Sequence, residues 1–104
     1  MKKITIDHKE YTMPKMSIDT YSEYLELSEM MDGRARYTKQ DLDAMSEFIC
    51  KAYGDQFTVE ALRDAEMGLD APGLIMEFQM IDMNIADELT KRMENISKNF
   101  QNGE

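Results

Sequence analysis

Four times in this chain a helix-capping residue sits between two apolar residues, one just before it and one four residues after it. Ser17 lies between Met16 and Tyr21, Thr38 between Tyr37 and Leu42, Thr58 between Phe57 and Leu62, and Asp70 between Leu69 and Leu74. In that arrangement the capping side chain accepts from an orphan N–H of the first turn. The flanking apolar pair packs together and sets the angle at which the chain enters the helix. Asp41 adds a capping box to the Thr38 start, and Pro72 falls in the first turn after Asp70, where a missing N–H costs little. Gly33, Gly54 and Gly68 stand where left-handed residues commonly end helices. Starts and stops together predict helices over 18–32, 39–53, 59–67 and 71–100.

The second helix places Leu42, Met45, Ile49, Ala52 and Tyr53 on one face. The last carries a longer seam of Leu74, Phe78, Ile81, Ile85, Leu89, Met93, Ile96 and Phe100, spaced by threes and fours with one extra residue near its middle. Ile75, Met76, Met80 and Met83 are read as a second apolar line that widens its first half. A helix of about 30 residues is about 45 Å long. A compact body of this size has a radius of gyration of only about 13 Å. The end of the helix is therefore expected to overhang the body and to need a partner. Phe78, Ile81, Ile85, Leu89, Met93, Ile96 and Phe100 are the candidate partner-binding residues, and self-association through this helix is expected.

The first 13 residues read as a β-hairpin. Ile4 and Ile6 alternate with polar residues, Asp7-His8 interrupts, and Tyr11 and Met13 resume the alternation. A two-residue loop sets Ile4 opposite Tyr11. Both loop residues then need positive φ, for which His8 is a poorer choice than glycine. The fold class is α+β, mostly α. Residues 1–104 form one domain, with a hairpin over 1–13, a helical body over 17–69, a long helix over 70–100 and a frayed tail over 101–104. A two-stranded hairpin is the only sheet expected.

Charge and chemistry narrow the function. The net charge is −9, and between Asp41 and Glu88 there are 12 acidic residues against Lys51 and Arg63. Nucleic acid and anionic membranes both attract basic surfaces, so neither is an expected partner. The acidic half is either a solvated face that favours solubility or a recognition face for a basic partner. The 11 methionines either replace leucine in the core or supply surfaces that repack against partners. His8 is the only histidine and Cys50 the only cysteine. That excludes an internal disulfide and a zinc site of ordinary ligand spacing. A nucleophile–base pair is not in evidence, and His8 reads as a turn residue and Cys50 as a partly buried spectator. The glycines are isolated, so there is no phosphate loop. No cofactor and no enzymatic activity are expected. Without a visible signal peptide or a long apolar span, the expected location is the cytoplasm.

The order of features resembles a known family. The hairpin reads Ile4-Thr-Ile-Asp-His-Lys-Glu-Tyr11, where the family more often has Asp-Gly-Lys-Glu-Tyr. It leads through Met13-Pro14-Lys15-Met16 to a helix with Tyr21 and Tyr24-Leu25, then Tyr37-Thr38, then Phe48-Ile49-Cys50-Lys51-Ala52-Tyr53-Gly54-Asp55-Gln56-Phe57-Thr58. Over roughly residues 1–75 this is similar to the short tail assembly chaperones of long-tailed bacteriophages and prophages, siphoviruses of Gram-positive hosts above all. The resemblance implies a protein that coats the tape measure protein, keeps it soluble, recruits the major tail tube protein, and leaves before the virion is complete. It also implies that a longer frameshifted form can exist, of which this chain would be the short counterpart. It implies no catalytic residues. The competing reading from composition is a generic acidic adaptor or DNA mimic.

Overall fold

The structure, a computed structural model, describes residues 2–33 and 36–102, with side chains through Lys98. The chain runs β1 (Lys3–Ile6), β2 (Lys9–Thr12), α1 (Ile18–Met31), α2 (Lys39–Ala52), α3 (Val59–Leu62) and α4 (Ala71–Asn102). Among the described residues the two strands form the only sheet.

The hairpin has the predicted register, with Ile4 opposite Tyr11 and Ile6 opposite Lys9. Asp7 and His8 both take positive φ, 52° and 64°, as a two-residue loop that follows the strand twist demands. Ile4, Ile6 and Met13 are buried, whereas Tyr11 is half-buried and its ring lies 5.2 Å from that of Phe57. Hydrogen bonds clip this small sheet to the segments that join the helices. The Asp7 N–H donates to the Met67 carbonyl at 2.7 Å, and Gln56 Nε2 donates to the carbonyls of Thr12 and Tyr53. A lone hairpin is marginal in water, so these clips and the buried isoleucines hold it.

The four helix starts form as their sequences require. The hydroxyls of Ser17, Thr38 and Thr58 accept from the N–H of Thr20, Asp41 and Ala61, and Asp70 Oδ1 accepts from Gly73. The Asp41 carboxylate returns a bond to the Thr38 N–H and completes the capping box. Gly33 and Gly54 take φ of 76° and 72° at the predicted stops, and Asp55 continues left-handed at 57°.

The third helix departs from expectation. It ends at Leu62 rather than 67, because Asp64 Oδ1 draws the N–H groups of Glu66 and Met67 into a turn that competes with the helix. Gly68 has no left-handed backbone. A side chain there would collide with the carbonyls of Ala61 and Leu62, so it is close backbone approach that requires glycine. At the other end of the chain, α4 continues to Asn102, two residues beyond the predicted end and into the expected frayed tail. Gly103 and Glu104 lie outside the described residues.

The core gathers around α2, which touches α1, α3 and α4. Met45, Ile49 and Tyr53 have no exposed surface, and Phe48, Cys50 and Ala52 are nearly as buried. Removing each large apolar side chain from water contributes about 1.5–3 kcal/mol. Tyr24 of α1 joins Phe48 of α2 to Phe78 of α4, with centroids 5.7 and 4.8 Å away.

Candidate protein-binding surface

α4 is two helices in one by environment. Its first half belongs to the core, with Leu74, Phe78 and Ile81 buried. Polar contacts hold the same half in place. Buried Glu77 forms an ion pair with Lys2 and accepts from the Tyr53 hydroxyl at 3.3 Å. The Tyr21 hydroxyl donates to Asp82 at 2.9 Å, and Gln79 Nε2 donates to the Tyr37 hydroxyl at 3.1 Å. From residue 86 to 98 every side chain is exposed. Leu89, Met93 and Ile96 show 57%, 61% and 67% of their surface to solvent. The molecule measures 55 × 35 × 22 Å with a radius of gyration of 16.0 Å, above the about 13 Å of a compact chain this long, which is what an overhanging helix produces.

Where α4 leaves the body, a groove of about 310 Å³ opens between it and the segment after the hairpin. Met13, Pro14, Lys15 and Met16 form one wall, and Ile85, Glu88, Leu89 and Arg92 form the other. The floor is apolar. Lys15 has no ion pair with another described residue, and Arg92 is paired only within its helix, to Glu88 at 3.6 Å with both side chains more than half exposed.

The structure sorts the seven candidate residues. Phe78 and Ile81 are core residues. Ile85 is half-buried and lines the groove beside exposed Leu89. Met93 and Ile96 continue the apolar track along the overhang, and the Phe100 side chain lies outside the described residues. The methionines differ from expectation. Met76, Met80 and Met83 are 60%, 42% and 63% exposed. At about 100° per residue they face away from the Leu74–Ile81 seam, so they form a second stripe and do not widen the first. Sequence reasoning also missed the groove's hairpin-side wall. Met13 and Met16 flanking Pro14 were visible as apolar residues, but nothing local places them against Leu89, 73 positions beyond Met16.

Burial favours the neutral form of the core thiol and phenol groups. Burial pushes the Cys50 thiol up to about 11, with a smaller contribution from the Asp55 charge. Burial likewise raises the Tyr24 hydroxyl to about 12. Burial, then the Glu77 carboxylate, raises Tyr53, and the hydrogen bond to Asp82 raises Tyr21. A protonated thiol is a poor nucleophile, so Cys50 is packed rather than poised, and more deeply buried than the sequence suggests. His8 stands in the hairpin loop. Among the described residues no three His, Cys, Asp or Glu are grouped to hold a metal, and no helix is long and apolar enough to cross a membrane. What the arrangement offers is an apolar track bordered by a few cations on a helix that outruns its own core.

A family model described as phage tail chaperone protein matches residues 1–103. The match therefore takes in the long C-terminal helix as well as the hairpin and helical body. No curated protein and no solved structure matches the chain.

Proposed function

The chain belongs to the phage tail chaperone protein family, and from that premise we propose that it binds the tape measure protein along the exposed part of α4 and keeps that client soluble until tail tube subunits arrive. The observation that carries the reading is the apolar track that starts at half-buried Ile85 and runs on through Leu89, Met93 and Ile96, which the chain's own core leaves uncovered. Contiguous apolar surface of this kind on a small protein marks a place where something docks. An amphipathic client helix fits it by the helix-in-groove mode. Methionine beside leucine and isoleucine lets one surface accept many different client turns.

The −9 charge supports the same role, because complexes coated with like charge repel one another. Several copies, associating with one another through α4, line one client. Each contact is then weak enough for tube subunits to displace and the sum is strong. Phe78 and Ile81, earlier on the same seam, anchor α4 in the core. The protein acts without catalysis, in the host bacterial cytoplasm during assembly of a siphovirus-type tail, and is absent from the finished virion.

Co-expression tests the reading. The tape measure protein is expected to be soluble with the chain and insoluble without it. Replacing Ile85, Leu89 and Met93 together by Ser is expected to abolish the rescue while the hairpin and first helices stay folded. A client that remains soluble with the triple variant would show that binding lies elsewhere, and no rescue by the unaltered chain would sink the chaperone role.

A further inference from the structure

The second apolar stripe of α4 is used neither by the core nor by the client track. Met76, Met80 and Met83 are 60%, 42% and 63% exposed. They span about 10 Å of the helix and lie nearly opposite Ile85, Leu89 and Ile96 around its axis. The face around them is uncharged. From Ala71 to Ala86 the charged residues are Glu77 and Asp82. Glu77 is buried against Lys2 and Tyr53, and Asp82 accepts from Tyr21 of α1, so both are turned to the body. On the outer side charge first returns at Asp87 and Lys91, which are exposed and form no ion pair with a described residue.

We propose that this stripe pairs with the same stripe of a second copy of this chain, the two α4 helices running antiparallel. A register that sets Met80 against its own counterpart and Met76 against Met83 covers all three methionines at once. Charge selects the direction. A parallel pair would stack Asp87 on Asp87 and Lys91 on Lys91. The antiparallel register sets Asp87 beside the first turn of the other α4, whose orphan N–H groups favour an anion, and Lys91 beside the Asp70 that caps it. In a chain of net −9, an uncharged face is also where a like-charged copy meets least repulsion. The core lies on the other side of α4, so the two bodies stand apart. This deepens the self-association within the function above by naming the face that carries it, and it rests on that part of the reading. The contact is isologous and closes at two copies. Both client tracks stay open, so one pair grips a long client twice.

Disulfide cross-linking of the full chain under a mild oxidant tests the pairing and its direction. The background is Cys50→Ala, which removes the buried thiol, with folding checked by circular dichroism. Met80→Cys is expected to cross-link with itself. Met76→Cys and Met83→Cys are each expected to cross-link poorly alone and efficiently when mixed, because each then faces the other. Sedimentation supplies the second measurement. Met76→Ser, Met80→Ser and Met83→Ser together are expected to weaken self-association about tenfold or more, and to leave the fold intact because all three are exposed. A chain ending at Lys91 keeps the methionines but frays the turn that holds Asp87 and Lys91, so it is expected to associate less tightly. Ile85→Ser, Leu89→Ser and Met93→Ser together are expected to keep the cross-linking pattern while losing client rescue.

The proposal is overturned by a monomeric unaltered chain, by a folded methionine variant that associates normally, or by Met76→Cys and Met83→Cys that cross-link alone as well as they do together. Client rescue by an unaltered chain that shows no cross-linking at these positions would sink this contact and leave the chaperone role standing. The expected cross-linking pattern without client rescue would do the reverse.

Discussion

His8 and Cys50 show how much a single position can reveal. His8 holds φ at 64° in the hairpin loop, a conformation that costs a β-carbon roughly 1–2 kcal/mol and costs glycine almost nothing. Glycine also gives the unfolded chain more freedom, which offsets part of that gain. His8→Gly is therefore expected to stabilise the protein by about 0.5–1 kcal/mol, read as a higher urea midpoint at unchanged slope. Cys50 makes a statement about pH. Its thiol rises from 9.0 to about 11 because the folded protein buries it. The folded state thus favours the protonated form, and that contribution is complete below pH 9 and lost as pH climbs through 11. Stability is expected to fall over that window, and to fall less steeply in Cys50→Ala, when chemical unfolding is followed at several pH values.

At the scale of elements, one helix does two jobs, and substitution separates them. Ile81 is fully buried among the aromatic residues that join α1, α2 and α4, so Ile81→Ala leaves a cavity and is expected to cost about 2–5 kcal/mol. Leu89, eight residues along the same seam, is more than half exposed. Leu89→Ala is expected to change stability by no more than about 0.5 kcal/mol while weakening client rescue. Equal stability losses at the two sites, measured by thermal melting, would mean that the overhang is covered by its own body. The α3 segment is the opposite case. There one side chain, Asp64, wins the local backbone donors, and the helix expected over 59–67 has only four residues.

For the whole molecule, the consequence of the overhang is that binding and folding reside in separable parts. The hairpin, α1, α2 and the first half of α4 share one core, and the described residues after Lys91 contribute none of it. A chain ending at Lys91 loses Met93, Ile96 and Phe100 and keeps every buried residue among those described. Its melting temperature is expected to stay within about 2–4 °C of the full chain, with self-association and client rescue both reduced. A truncated chain that unfolds would show that the overhang supports the body.

Much of this was readable before any coordinates. Cap, staple and capping-box residues act on the turn that contains them, so Ser17, Thr38, Thr58 and Asp70 placed the starts of four helices, though not the end of the third. The demand for positive φ at Asp7-His8 set the strand register. The seam from Leu74 to Phe100 was visible because apolar spacing is itself a local pattern, and its length against the size of the body announced an overhang. What only the tertiary structure decided is which seam residues are spent inside. Phe78 and Ile81 go to the core because α1 and α2 reach them, and Leu89 does not because the body has ended. The facing of Met76, Met80 and Met83 away from the core, the near-collision that reserves Gly68, and the meeting of Met16 with Leu89 across the groove all depend on where distant segments come to rest. Burial is a relation between elements, and a chain read one segment at a time contains the elements without their distances.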